Sequence, residues 1–178
     1  MRLRTRQLLA VTGTALATAV ALGAPSQAVA AGRGEPARVT CAAATTKVTV
    51  TPVKSPVNHL LITVKNTGKT LCDAYYAPAL RFDDAQAATT VNRDSQPQAV
   101  VSLMPGESAY AGVTTSAADG SGTHGYTAHR LEVHFVNRTD TGSVGAPAKP
   151  ALPKAGVWVD SSAQVTYWQY TAADALMW

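Results

Sequence analysis

Apolar and polar positions alternate in short runs along most of this chain. Lys47-Val48-Thr49-Val50-Thr51 alternates strictly, the period-two mark of a strand with one face in a core. His59 to Lys65 continues the pattern, with Leu60, Ile62 and Val64 on one face and Leu61, Thr63 and Lys65 on the other. Asn66-Thr67-Gly68-Lys69 then predicts a turn in which glycine supplies a positive φ. Leu71 to Tyr76 and Ala79 to Phe82 are strand-like pieces divided by Pro78, which has no N–H for a ladder and so marks an edge or a bend. Asp83-Asp84 is the next turn. Gln98 to Met104 and Ser108 to Thr115 flank Pro105-Gly106, the punctuation of a hairpin.

Gly120 to Gly125 reads as a loop. Thr127 to Asn137 predicts one strand, with His129, Leu131, Val133 and Phe135 on one face and Arg130, Glu132 and His134 on the other. Gly142 to Gly156 is rich in Ala, Pro, Gly and Lys without a period, which predicts a long exposed loop. Val157 to Val159 and Gln164 to Tyr170 supply the last strands. No segment after the first thirty residues sustains a period of 3.6 with caps. The fold class is therefore all-β, a β-sandwich of roughly seven to nine short strands.

The first thirty residues follow a different pattern. Arg2, Arg4 and Arg6 precede an uncharged apolar stretch from Leu8 to Leu22, and Ala28-Val29-Ala30 is a small-x-small cleavage site. This is the layout of a secretory signal peptide, with an apolar run shorter than the ~20 residues a membrane-spanning helix requires. Residues 1–30 are expected to be removed, residues 31–40 to form a flexible tail, and residues 41–178 to form a single secreted domain with no stable membrane anchor.

Cleavage changes the electrostatics. The chain carries 15 Lys and Arg against 11 Asp and Glu, a formal charge of +4. The leader takes away three arginines and no acid, leaving 12 cations against 11 anions. A chain so balanced has no electrostatic footprint for nucleic acid. Export also changes the reading of the two cysteines, Cys41 and Cys72, since extracellular proteins form and keep disulfides. One bridge between them would close a loop of about thirty residues, worth roughly 3–4 kcal/mol. Two free thiols are the alternative.

Taken together, Leu60-x-Ile62-x-Val64-x-Asn66-x-Gly68 followed by Cys72, then Tyr76-x-Pro78-x-Leu80, then Leu103-x-Pro105-Gly106-x-x-Ala109, resemble an actinobacterial family of exported proteins, domain-of-unknown-function family 4232. The resemblance covers roughly Cys41 to the C-terminus. It implies an immunoglobulin-like sandwich with a bridge between the cysteines at 41 and 72, and it implies no activity. Unlike lipid-anchored relatives, this chain has no cysteine at the cleavage point, and it lacks the second cysteine pair carried by many members.

Candidate chemistry is sparse. His124, His129 and His134 are spaced by five, and an odd offset along a strand sends side chains to opposite faces, so His129 and His134 cannot share a local ligand set. Neither a Gly-x-Ser-x-Gly nor a His-Glu-x-x-His segment occurs, and no catalytic residue, metal or cofactor is assigned. Asn137-Arg138-Thr139 matches a glycosylation sequon, incidental in a bacterial host. Aromatic placement carries more: all three tryptophans and two of six tyrosines fall in the last 21 residues. Alternation along Gln164 to Tyr170 places Val165 and Tyr167 on one face and Trp168 and Tyr170 on the other. Trp168 and Tyr170 are thus the candidate binding face, suited to stacking on sugar rings or to a protein partner. The expected function is a non-enzymatic binding or envelope-associated module, whose partner is a cell-wall glycan or another extracellular protein. The alternative is an exported hydrolase or metal-binding protein with a loop-built site.

Overall fold

A computed structural model describes residues 37–178. The leader and the first part of the tail lie outside the described residues. Eleven strands and one short helix follow in order: β1 (Arg38–Thr40), β2 (Thr46–Val53), β3 (His59–Asn66), β4 (Leu71–Phe82), β5 (Thr90–Val91), β6 (Val101–Leu103), β7 (Ser108–Thr114), β8 (Tyr126–Ala128), β9 (Leu131–Val136), β10 (Val157–Val159), β11 (Gln164–Val165) and α1 (Ala172–Leu176). The expected β-rich class is present with more strands than the alternation suggested, and the two pieces expected on either side of Pro78 are one strand, β4, which carries the proline at a register irregularity.

One sheet has the order β2-β3-β7-β11-β5, and a second is built on β4, which pairs with β1, β6 and β9. A two-stranded ribbon joins β8 to β10. The two larger sheets contribute to one core. Leu60, Ile62 and Val64 of β3 and Ala109, Ala111 and Val113 of β7 come from the first sheet, and Leu80, Phe82, Leu103, Leu131, Val133 and Phe135 from the second. The apolar face read for β3 is the buried one, because a strand's side-chain period of two sorts its residues by environment.

Cys41 and Cys72 are bonded, with Cα atoms 4.9 Å apart. Both are buried in the core. The bridge ties the chain leaving β1 to β4, its parallel neighbour, where Val39 faces Cys72 and the Cys41 N–H donates to the Asp73 carbonyl at 3.0 Å. Residues 38–40, expected in the tail, are therefore strand.

Three local expectations are corrected. Gly68 does not adopt a positive φ; the turn is formed by the Asn66 side chain, whose Oδ1 accepts the Gly68 N–H at 2.9 Å. Pro105-Gly106 does not close a hairpin: β6 pairs with β4 while β7 pairs with β3 and β11, so the turn carries the chain between sheets. Asn66 fastens this crossing, donating from Nδ2 to the Leu103 carbonyl and accepting the Gly106 N–H on its own carbonyl. The strand expected from Thr127 to Asn137 is broken at His129 and Arg130, whose backbone N–H groups donate to the Asp83 carboxylate at 2.8–3.2 Å. His129 is consequently exposed, while Leu131, Val133 and Phe135 keep the buried face. The loop from Gly142 to Gly156 is tethered beside β9 by isolated bridges at Ser143 and Ala148.

At the C-terminus, α1 lies on β7 over Gly112. A Cβ at Gly112 would stand 2.0 Å from the Ala175 carbonyl oxygen, so only glycine admits the helix. Thr171 caps α1 by accepting the Asp174 N–H at 3.0 Å.

Candidate functional site

The middle of β4 is where its ladder fails. Pro78 cannot donate, and the register with β9 shifts between Tyr75 and Ala79. Tyr76 takes up the irregularity with φ +54°, a left-handed conformation uncommon for a bulky side chain and a pointer to function where it occurs. The result sets two consecutive tyrosines side by side, with ring centroids 6.4 Å apart and planes tilted by 40°. The Tyr76 hydroxyl donates to the Arg138 carbonyl at 3.0 Å, and its carbonyl accepts the Trp168 N–H at 3.0 Å.

Facing this doublet is the segment from Gln96 to Val101. It is anchored from behind by Ser95, whose Oγ accepts the Tyr167 N–H at 2.9 Å and whose carbonyl accepts the Gln169 amide. Between the two walls lies a cleft of about 290 Å³ lined by Tyr75, Tyr76, Gln96, Gln98 and Arg138, with Trp168 among its residues. Burial first, then the Asp73 carboxylate, which accepts a hydrogen bond from the phenol, push the Tyr75 hydroxyl above its ordinary pKa. It therefore remains a neutral donor and acceptor. Arg138 has no ion-pair partner among the described residues. A cation, two carboxamides and two phenols around an aromatic concavity can bind and orient a ligand.

The two residues expected on one binding face are separated. Trp168 is 1 % exposed and packs on Phe135, so it presents no surface to a partner. Tyr170 is 53 % exposed, but its hydroxyl is committed, accepting the Ser102 N–H at 3.1 Å and donating to the Val100 carbonyl. Regular pairing of β11 with β7 ends at Val165 and resumes at Gln169 opposite Tyr110 with the register shifted by one, which removes the alternation on which the face was read. Thr166 to Gln169 are all buried, with Thr166 bonded to Gly112 and Gln169 to Ser95. The Tyr75-Tyr76 doublet two residues before Pro78 was the signal available in the sequence for the cleft. Gln96, Gln98 and Arg138 had none.

Two of the histidines have partners of their own. His59 Nδ1 lies 2.6 Å from the Val57 carbonyl and Nε2 lies 2.9 Å from Thr114 Oγ1, its cross-strand neighbour. His134 stands 3.5 Å from Glu132 on the same face of β9. That carboxylate already meets Arg81 at 3.1 Å and Lys149 at 3.0 Å. Among the described residues no three of His, Cys, Asp and Glu converge as a metal-holding group.

No curated protein and no solved structure matches the chain. The family model for a domain of unknown function (DUF4232) matches residues 41–169, from the first cysteine to the residue before Tyr170, and the chain belongs to that family.

Proposed function

We propose that this protein is a secreted binding module of the immunoglobulin-like sandwich kind, which acts without chemistry by holding a component of the cell envelope in the Tyr75–Tyr76 cleft. The observation that carries this reading is the cleft itself: adjacent tyrosines, two carboxamides and an arginine with no ion-pair partner among the described residues, gathered at a strained point of β4. Aromatic rings offer a stacking surface, and Arg138 favours a ligand bearing acceptors or negative charge. Secretion rests on the leader motif. The immunoglobulin-like arrangement rests on the family resemblance and on two mainly antiparallel sheets around a shared core.

The test is co-sedimentation of the mature chain with washed cell walls, comparing wild type with Tyr76→Ala and Arg138→Gln. Wild type is expected in the pellet and the folded variants in solution. Wild type remaining in solution overturns envelope binding, and variants that pellet like wild type remove the cleft from it.

A further inference from the structure

A second hollow lies away from the cleft, where β10 runs beside the start of β3. It has a volume of about 330 Å³ and is lined by Trp158, Val157, Pro153, Asn58, His59 and Thr115, among others. Trp158 is 55 % exposed although it sits in mid-strand, opposite Thr127 in the β8–β10 ribbon. The other exposed tryptophan, Trp178, does not line this hollow.

Trp158 is not loosely exposed. Its six-membered ring packs against Gly125: a Cβ there would stand 2.2 Å from Cζ2 and 2.7 Å from Cε2. The missing side chain at 125 is what lets the indole settle against backbone, which fixes the ring and spares the rotamer entropy that binding would otherwise cost. The Trp158 indole N–H has no acceptor among the described residues. Around it, His59 and Thr115 are already hydrogen-bonded within the protein, Asn58 keeps its amide oxygen free beyond the bond from Nδ2 to the Ser116 carbonyl, and among the described residues no Lys, Arg, Asp or Glu lines the hollow.

From this geometry we infer that Trp158 is the stacking platform of a second site, which takes a neutral saccharide ring. A pyranose presents an apolar C–H face to an aromatic ring and hydroxyls to an indole N–H and a carboxamide, and this hollow offers the Trp158 indole and the Asn58 amide. A charged ligand would find no counter-ion in its wall, and the volume suits one or two sugar rings. The site is separate from the proposed cleft, so one domain would hold a glycan at two points, and linked weak contacts multiply.

The experiment is titration of the mature chain with the β-1,4-linked trisaccharides of N-acetylglucosamine and of glucose, up to about 10 mM, followed by tryptophan emission. An exposed indole covered by a sugar moves its emission to the blue, and a saturable blue shift is expected with at least one of the two. Trp158→Ala, a surface change, should abolish it. Gly125→Ala, which displaces the indole without removing it, should weaken binding by about tenfold. Tyr76→Ala should leave the response intact. No saturable shift with either sugar overturns the inference, as does a shift that survives Trp158→Ala. A shift lost in Tyr76→Ala and kept in Trp158→Ala assigns the sugar to the cleft, overturning the second site while leaving the binding-module reading in place.

Discussion

The indole of Trp168 stacks on the ring of Phe135 with centroids 5.8 Å apart and planes 16° from parallel, and its Nε1–H is buried without an acceptor among the described residues. An unsatisfied buried donor costs about 1–3 kcal/mol, so part of what the large ring contributes is cancelled by its own nitrogen. Trp168→Phe retains the stack and removes the donor. It should cost less than about 2 kcal/mol in urea unfolding, whereas Trp168→Ala should cost ~3–5 kcal/mol. Equal losses from the two variants would mean that a phenyl ring does not retain the stack.

The Cys41–Cys72 bridge closes a separation of 31 residues. Replacing both by alanine should remove ~3–4 kcal/mol of stability. In a domain of this size the melting temperature then falls by about 10 °C in calorimetry. A variant that melts with wild type would show that the β1–β4 pairing holds this end without the bond.

Asn66 is buried and spends its whole side chain on backbone: Nδ2 donates to the Thr70 and Leu103 carbonyls, each at 2.9 Å, and Oδ1 accepts from Gly68. Asn66→Ala strands those partners at the crossing between sheets and should cost about 2–4 kcal/mol. Amide exchange supplies the local check, with protection lost at Gly68 together with the turn around Gly106. Loss at only one of these would mean that the two turns are independent.

Glu132 lies below the ordinary carboxylate range, chiefly because Lys149 donates a hydrogen bond to it, against an opposing effect of burial and with help from Arg81. A carboxyl whose folded pKa is depressed contributes stability above its unfolded pKa, and that contribution is lost as pH falls through the folded value. The effect therefore belongs to the acid limb of the stability curve, below the usual glutamate range. Lys149→Met should return the Glu132 titration, followed by carboxyl carbon-13 shifts, toward the ordinary value. An unmoved titration would assign the depression to Arg81.

The leader motif makes its own demand. Protein recovered from culture medium should begin at or near Ala31 by N-terminal mass spectrometry. Met1 found on a membrane-bound form would contradict free secretion.

What the sequence made legible was whatever a strand's alternation or a cysteine pair encodes locally. The inward face of β3, the irregularity at Pro78 and the Cys41–Cys72 bond are of this kind. The turn at Pro105-Gly106 was recognisable as a turn, but whether a turn joins paired strands or crosses between sheets depends on partners thirty or more residues away. The division of Trp168 from Tyr170 was hidden for a related reason. Alternation sorts side chains only while the register is kept, and between Val165 and the Gln169–Tyr110 bridge it shifts by one. The cleft escaped because Tyr76 and Arg138, 62 positions apart, meet through a backbone carbonyl, which leaves no trace in residue type.

Gly112 carries a consequence for how this chain tolerates change. The position lies in the interior of a seven-residue strand, where glycine is ordinarily a weakness and almost any β-branched residue would strengthen the strand taken alone. Here the segment from Thr171 onward is fitted, through Ala175, to the absence of a methyl group about sixty residues earlier. A substitution that improves the strand would dislodge the terminal turn, while trimming that turn would relax the demand for glycine. The two sites form a coupled pair: a mutation at either one changes which mutations the other can accept.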